Sequence, residues 1–199
     1  MASVKRLRRR DLPIDTIELA RFLIGTILVH DRRGERTSGR IVETEAYPVG
    51  DAAGHAFGGK TNRNASLYLA RGHAYVYFIY GMYYCLNVSS ERAGVGAGVL
   101  IRALEPIEGI DLMKERRGGS SLRDLARGPG RLALAMAIDR RDDGVDLCTD
   151  PSLWLGSAGA NYHGVVSATT RIGLSREQSR PWRFYERGST FVSGPRPRT

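Results

Sequence analysis

Arg40-Ile-Val-Glu-Thr-Glu-Ala-Tyr47 alternates along one strand length, with Val42, Thr44 and Ala46 set against Glu43, Glu45 and Tyr47. A period of two places both carboxylates and the tyrosine ring on one face of a strand. On an ordinary edge strand such a face is simply solvated. Here it leads into a Gly/Ala-rich stretch that ends at His55. A carboxylate near an imidazole and beside a ring can hold and deprotonate a water.

Outward from this strand, residues 26–30 read as a shorter strand and residues 31–35 as a turn, so the two strands form a hairpin. Residues 11–25 read as an opening helix, capped by Asp15 or Thr16, with Ile17, Leu19, Ala20, Leu23 and Ile24 as its apolar face. Residues 48–64, rich in Gly, Ala and Asn, read as a long functional loop. Further strands are expected over 73–79, 82–89, 97–104, 164–172 and 182–185. Helices are expected over 106–116 and 132–138, the second reached through Gly128-Pro-Gly130. There is no regular βαβ alternation. The pattern predicts a single α+β domain: a mostly antiparallel, curved β-sheet with surrounding helices and a protruding β-hairpin.

The hairpin is expected at Tyr75-Val-Tyr-Phe-Ile-Tyr-Gly-Met-Tyr-Tyr-Cys-Leu-Asn87. A two-residue turn at Tyr80-Gly81 would put Tyr77 and Asn87 on opposite faces. A three-residue connection, Tyr80-Gly81-Met82, pairs Ile79 with Tyr83 and Tyr77 with Cys85. Tyr77, Tyr83, Cys85 and Asn87 then share a face, and Tyr80 projects from the tip. A large ring at a tip is badly placed for a core and well placed to enter a base stack.

The 199 residues suffice for one well-packed domain, and the net charge of +9 suggests a polyanionic partner such as nucleic acid. Lys5, Lys60 and Lys114 are the only lysines among 30 basic residues, so part of the charge reflects a bias toward arginine. Cys85 and Cys148 form no C-x-x-C motif, which fits a reduced, intracellular chain. The four histidines, at 30, 55, 73 and 163, lack metal-ligand spacing; neither a metal nor another cofactor is expected. No apolar run approaches the roughly eighteen residues of a membrane span. Gly58-Gly-Lys-Thr-Asn-Arg-Asn64 is not a Walker A phosphate-binding loop, because no strand leads into it directly and no helix clearly follows. Lys60, Thr61 and Arg63 read instead as contacts to a phosphate backbone. Residues 1–11 read as a flexible basic arm and 193–199 as a flexible tail.

Together these segments closely resemble the alkyladenine (3-methyladenine) DNA glycosylases. The resemblance rests on Arg40–Tyr47, the Gly58–Asn64 loop, Tyr75–Asn87, Leu-Ile-Arg-Ala-Leu-Glu-Pro106, Gly-Pro-Gly-Arg-Leu132 and Arg-Phe-Tyr-Glu-Arg-Gly188, in order over residues 12–192. It implies a monomeric, monofunctional base-excision-repair enzyme. Such an enzyme flips damaged purines (3-methyladenine, 7-methylguanine or hypoxanthine) out of double-stranded DNA and hydrolyses the N-glycosidic bond. It would work in the cytoplasm, at the nucleoid, of a prokaryote or in the nucleus of a eukaryote. The resemblance makes Glu45 the general base and Arg102 its positioning partner. Tyr47, His55 and Tyr77 border the flipped base, Asn87 excludes normal guanine, and Tyr80 fills the gap in the duplex. The loop from Tyr47 to His55 is one residue shorter than in vertebrate members, and Asn62 replaces a usual proline. Two other classes fit less well: a catalytically silent nucleic-acid-binding protein on the same fold, and an N-glycoside hydrolase of RNA or free nucleosides. Glu45 with Arg102 argues against the first, and the basic charge with Tyr80 against the second.

Overall fold

The longest strand, β2 (Glu35–Tyr47), borders three other strands and sets the shape of the sheet. The computed structural model describes residues 4–159 and 162–194. β1 (Ile27–Arg32) passes into β2 through Arg33 and Gly34 alone, both at positive φ (57° and 81°), as a two-residue hairpin turn requires. Both strands are therefore longer, and the turn tighter, than the sequence suggests.

β3 (Ala74–Ile79), β4 (Tyr83–Ser89) and β5 (Gly98–Glu108) continue the sheet on one side of β2, and β1 and β6 (Leu153–Gly156) on the other. β7 (Val166–Thr169) pairs with β8 (Arg183–Glu186), which joins β2. Every strand pair is antiparallel. Among the described residues three α-helices accompany this sheet, and the α+β reading stands.

The pairing of β2 with β5 slips three times, once between Ser38 and Gly39 and twice beside Glu43. Ile41 faces Leu104 and Glu43 faces Ala103, so Val42 is an extra residue on β2. Thr44 then faces Ile101, so Arg102 is an extra residue on β5. Close by, the other edge of β2 passes from β1 to β8. Bulges bend a strand and re-aim its side chains. These two aim Glu43, Glu45 and Arg102 at one another.

The core lies between the helices and one face of the sheet. α1 (Thr16–Leu23) is capped by Asp15, whose carboxylate accepts the N–H groups of Ile17 and Glu18. Its buried Leu19, Ala20 and Leu23 belong to one core cluster with Ile41, Val76, Leu86, Ile101 and Leu104, together with Leu132 and Ala133 of α3 (Pro129–Ala135). Residues of the opposite parity on β3 and β4, Tyr75, Tyr77 and Cys85, form a separate cluster with Leu67 and Leu100. That second face carries the candidate site.

Several expectations are corrected. Residues 106–108 belong to β5, and α2 (Ile110–Arg116) begins only after Gly109 at φ 71°. Pro106, which looks like a helix start, sits beside a register shift where its missing N–H is tolerated. Gly128-Pro-Gly130 is not a lead-in but the cap and first turn of α3. Residues 4–11, read as an arm, pack on the body: Leu7 is buried, its N–H bonds to Leu155, and Arg9 pairs with Asp146 at 2.6 Å. Ser193, placed in the tail, is also buried; residues 195–199 lie outside the described residues. No helix among the described residues is long and apolar enough to cross a membrane.

Candidate active site

Glu43 and Glu45 are both fully buried, not solvated. Such carboxylates need partners for each oxygen. Glu45 accepts the Ile172 N–H at 2.8 Å on Oε1, and the Tyr47 hydroxyl at 2.9 Å and Arg102 Nη1 at 3.1 Å on Oε2. Glu43 accepts Arg183 Nε at 2.6 Å, Arg102 Nε at 3.2 Å and the Ser193 N–H at 2.6 Å. Burial by itself would lower the Arg102 pKa, but Glu45 and Glu43 more than offset it and hold the guanidinium charged.

Tyr47, Arg102 and Ile172 also line a cleft of about 220 Å³. Drug-sized ligands usually occupy roughly 300–1,000 Å³, so this space suits a single small ring system. Glu45 lies one layer behind the wall, reached between the three groups that bind it. The remaining wall includes His55, Tyr75, Tyr77, Cys85, Asn87 and Leu100. Tyr75 and Tyr77 stack with centroids 5.4 Å apart, and His55 meets Tyr77 edge-on at 4.4 Å.

The register of β3 and β4 explains how these residues converge. Ile79 pairs with Tyr83 and Tyr77 with Cys85, across the three-residue connection Tyr80-Gly81-Met82. Tyr80 and Gly81 both have positive φ (55° and 68°), and Tyr80 is 82% exposed. Asn87 is buried and donates from Nδ2 to the Tyr75 carbonyl at 3.2 Å. Tyr83 does not reach the cleft; its ring packs against Gly130.

Burial, and then Glu45, push the Tyr47 phenol pKa up; burial does the same to Tyr77, followed by Cys85. The phenols therefore stay neutral. Burial raises Tyr75 to about 12. His55 Nδ1 lies 2.9 Å from the Tyr75 hydroxyl, and desolvation, then Arg63, lowers its pKa from 6.5. The imidazole is uncharged at neutral pH.

Residues 11–190 match the methylpurine-DNA glycosylase (MPG) family. The chain belongs to this family. A relative from Paraburkholderia phytofirmans, named as a candidate 3-methyladenine DNA glycosylase, is 57% identical over 96% of this chain and 89% of its own. One of the same name from Mesorhizobium japonicum is 58% identical over 96% of this chain and 91% of its own. A third, from Methanoculleus marisnigri, is 43% identical over 90% of this chain and 94% of its own. The protein is thus an enzyme, a DNA glycosylase whose substrate is DNA.

For a methylpurine-DNA glycosylase, the exposed residues around the cleft matter as much as its walls. Tyr80 stands at the mouth, with exposed Phe57 also on the lining and Met82 beside it in the turn. Lys60, Thr61 and Arg63 are exposed on the adjoining loop. Lys60 Nζ lies 5.8 Å from the Tyr68 ring, and Arg63 donates to the Phe78 carbonyl at 3.3 Å. Asn64 latches this loop. Its Oδ1 accepts the Thr61 N–H at 2.7 Å, and its Nδ2 donates to the carbonyls of His55 and Gly59 at 2.8 and 3.0 Å.

Sequence reasoning missed Asn64, the Ile172 N–H, Ser193 and a buried ion pair between Arg171 and Asp51. Ile172, Ser193 and Arg171 lie far along the chain from the groups they meet, and only the folded sheet brings them together, whereas Asn64 acts within its own loop. Glu43 was visible in the alternation, but nothing in the sequence separates its role from that of Glu45.

Proposed function

We propose that this enzyme binds double-stranded DNA as a monomer, flips alkylated or deaminated purines into the cleft, and hydrolyses the N-glycosidic bond with a water activated by Glu45. The observation that carries the reading is the position of Glu45: a buried carboxylate, oriented by Arg102 and the Ile172 N–H, directly behind a cleft walled by Tyr47, Tyr77 and His55.

A damaged base is unreachable inside the duplex, so unstacking it costs a few kcal/mol. Tyr80 fills the gap that is left. Tyr47 and Tyr77 offer electron-rich faces to the extruded purine, which favours a cationic, alkylated base. The Tyr47 hydroxyl turns from Glu45, and a water takes its place. The water oxygen bonds to C1′ of the sugar as its proton passes to Glu45. The C1′–N bond breaks, and its electron pair leaves with the base. In an alkylated purine that pair neutralises the ring's positive charge, so a positioned water and one base suffice; a neutral deaminated purine departs as an anion that takes its proton from water. Asn87 crowds the exocyclic amino group of normal guanine. Lys60, Thr61 and Arg63 hold the phosphate backbone.

A lyase step needs an amine nucleophile. No lysine lines the cleft among the described residues, and Lys60 lies over Tyr68 outside it. That supports a monofunctional hydrolase. The competing reading is a silent DNA-binding protein on this fold. Its one supporting observation is that both Glu45 oxygens are fully engaged without DNA. Catalytic hydrogen bonds often rearrange on substrate binding. Base release from a duplex with a single hypoxanthine or 3-methyladenine, set against an undamaged duplex, decides between them. Release of the damaged base alone is expected; tight binding without release supports the silent binder.

A further inference from the structure

The ring of Tyr47 has a guanidinium behind it. Arg171 Cζ lies 4.6 Å from the Tyr47 centroid and 5.0 Å from that of Trp182, and Arg180 lies 5.3 Å over the same indole. Tyr47 lines the cleft and Arg171 does not, and the Arg171 side chain is fully buried. Its Nη1 donates to the Ala46 carbonyl at 3.0 Å, and both of its terminal nitrogens bind Asp51. Its Nε is buried without a partner. The cation is thus held over the ring even with one donor unmet.

A cation over an aromatic face is attracted by the ring's negative quadrupole. It also draws electron density toward that face, leaving less for a second cation on the other. Two like charges on opposite sides of one ring repel directly as well. We propose that Arg171 sets the charge preference of the pocket: from behind Tyr47 it weakens the hold on cationic alkylated purines and keeps neutral deaminated purines competitive. Asp51 offsets part of this charge, so the effect is a bias and not a barrier. Arg171 touches no reacting atom; it is a specificity-determining residue that acts through Tyr47. The inference rests on the base-release reading above.

The test compares single-turnover release of cationic 7-methylguanine and neutral hypoxanthine from matched duplexes, after subtracting spontaneous loss. The quantity read is the cationic-to-neutral ratio, which a purely structural defect leaves unchanged because it slows both reactions alike. The double variant Asp51→Asn/Arg171→Gln removes both charges. It is expected to raise the ratio by about three- to tenfold. Asp51→Asn alone leaves Arg171 uncompensated and is expected to lower the ratio. Arg171→Lys keeps the charge and is expected to hold the wild-type ratio even if both rates fall. Ratios within twofold of wild type in the double variant and in Asp51→Asn would overturn the proposal. If circular dichroism shows one of the two unfolded, the other decides. A wild-type enzyme that releases neither base overturns the base-release reading itself, and this inference with it.

Discussion

Arg102 stands between two buried carboxylates, donating from Nε to Glu43 at 3.2 Å and from Nη1 to Glu45 at 3.1 Å. The two acids share a strand and full burial, yet their remaining partners divide them. Glu43 is completed by Arg183 and Ser193, which tie the end of the described chain to the sheet. Glu45 is completed by Tyr47 and Ile172, both of which line the cleft.

That division predicts opposite phenotypes from the same substitution. Glu45→Gln is expected to reduce base release by about a thousandfold, within the usual range for loss of a general base. Damaged-duplex binding should stay within about tenfold of wild type, or about 1.4 kcal/mol. Glu43→Gln leaves the buried Arg183 guanidinium without its carboxylate, while Arg102 keeps Glu45, and should lower stability by about 3–5 kcal/mol, read by urea unfolding. Near-normal release by Glu45→Gln would show that the base lies elsewhere.

His55 gives the reaction an acid limb. Desolvation, then Arg63, holds its pKa below 6.5, so it is neutral at pH 7 and gains a proton only as pH falls below that value. An imidazolium at the pocket wall would repel a cationic base. Release of 7-methylguanine should therefore decline once acidification protonates this imidazole, more steeply than release of hypoxanthine. His55→Gln should abolish that difference between the two profiles measured over about pH 5–8.

Much of the site is legible in the sequence because it lies on three strands, β2, β3 and β4, with a period of two. Glu45 and Tyr47 follow from alternation, and Tyr77 and Asn87 from one odd-length turn. Arg102 is different: its chemistry is visible, but its aim depends on paired bulges, and a β-bulge leaves no compositional mark. The Asp51–Arg171 pair joins two loops that are far apart in the chain, with no local pattern to announce it. Pro106 misled because a proline followed by an apolar, charged run is also how a helix starts. Ser193 misled because it precedes a Pro/Arg-rich end.

Ser193 offers a test of that last point. Its main-chain N–H reaches Glu43 at 2.6 Å, whereas its hydroxyl lies a marginal 3.4 Å from Arg102. Ser193→Pro removes the donor and leaves a buried carboxylate oxygen short of a partner, which should cost about 1–3 kcal/mol. Ser193→Ala keeps the N–H and should cost about 0.5 kcal/mol or less. Thermal unfolding of the two variants, measured side by side, checks the contrast; equal losses would make the hydroxyl the important group.

The net charge of +9 predicts a strong salt dependence. If on the order of five phosphates are neutralised on binding, the logarithm of duplex affinity should fall with the logarithm of salt with a slope near −4 to −5. Removing one phosphate contact by Arg63→Gln should make the slope shallower by about one unit. A flat response in wild type would count against duplex DNA as the partner.

Tyr80 and Asn87 should separate extrusion from discrimination. Tyr80 is 82% exposed at the turn, so Tyr80→Ala removes no core packing and should leave stability within about 0.5 kcal/mol. Without the ring nothing fills the gap in the duplex, so the flipped state should be less populated. Fluorescence of a 2-aminopurine placed beside the lesion should report less unstacking, and base release should slow. Asn87 is buried in the cleft wall and held by the Tyr75 carbonyl, where the flipped base of the proposed mechanism would meet it. Asn87→Ala should leave the fluorescence change intact while raising excision of undamaged guanine relative to hypoxanthine. The two readouts make the roles separable: a Tyr80→Ala variant with normal unstacking removes the wedge role, and an Asn87→Ala variant with unchanged guanine excision removes the discriminating one.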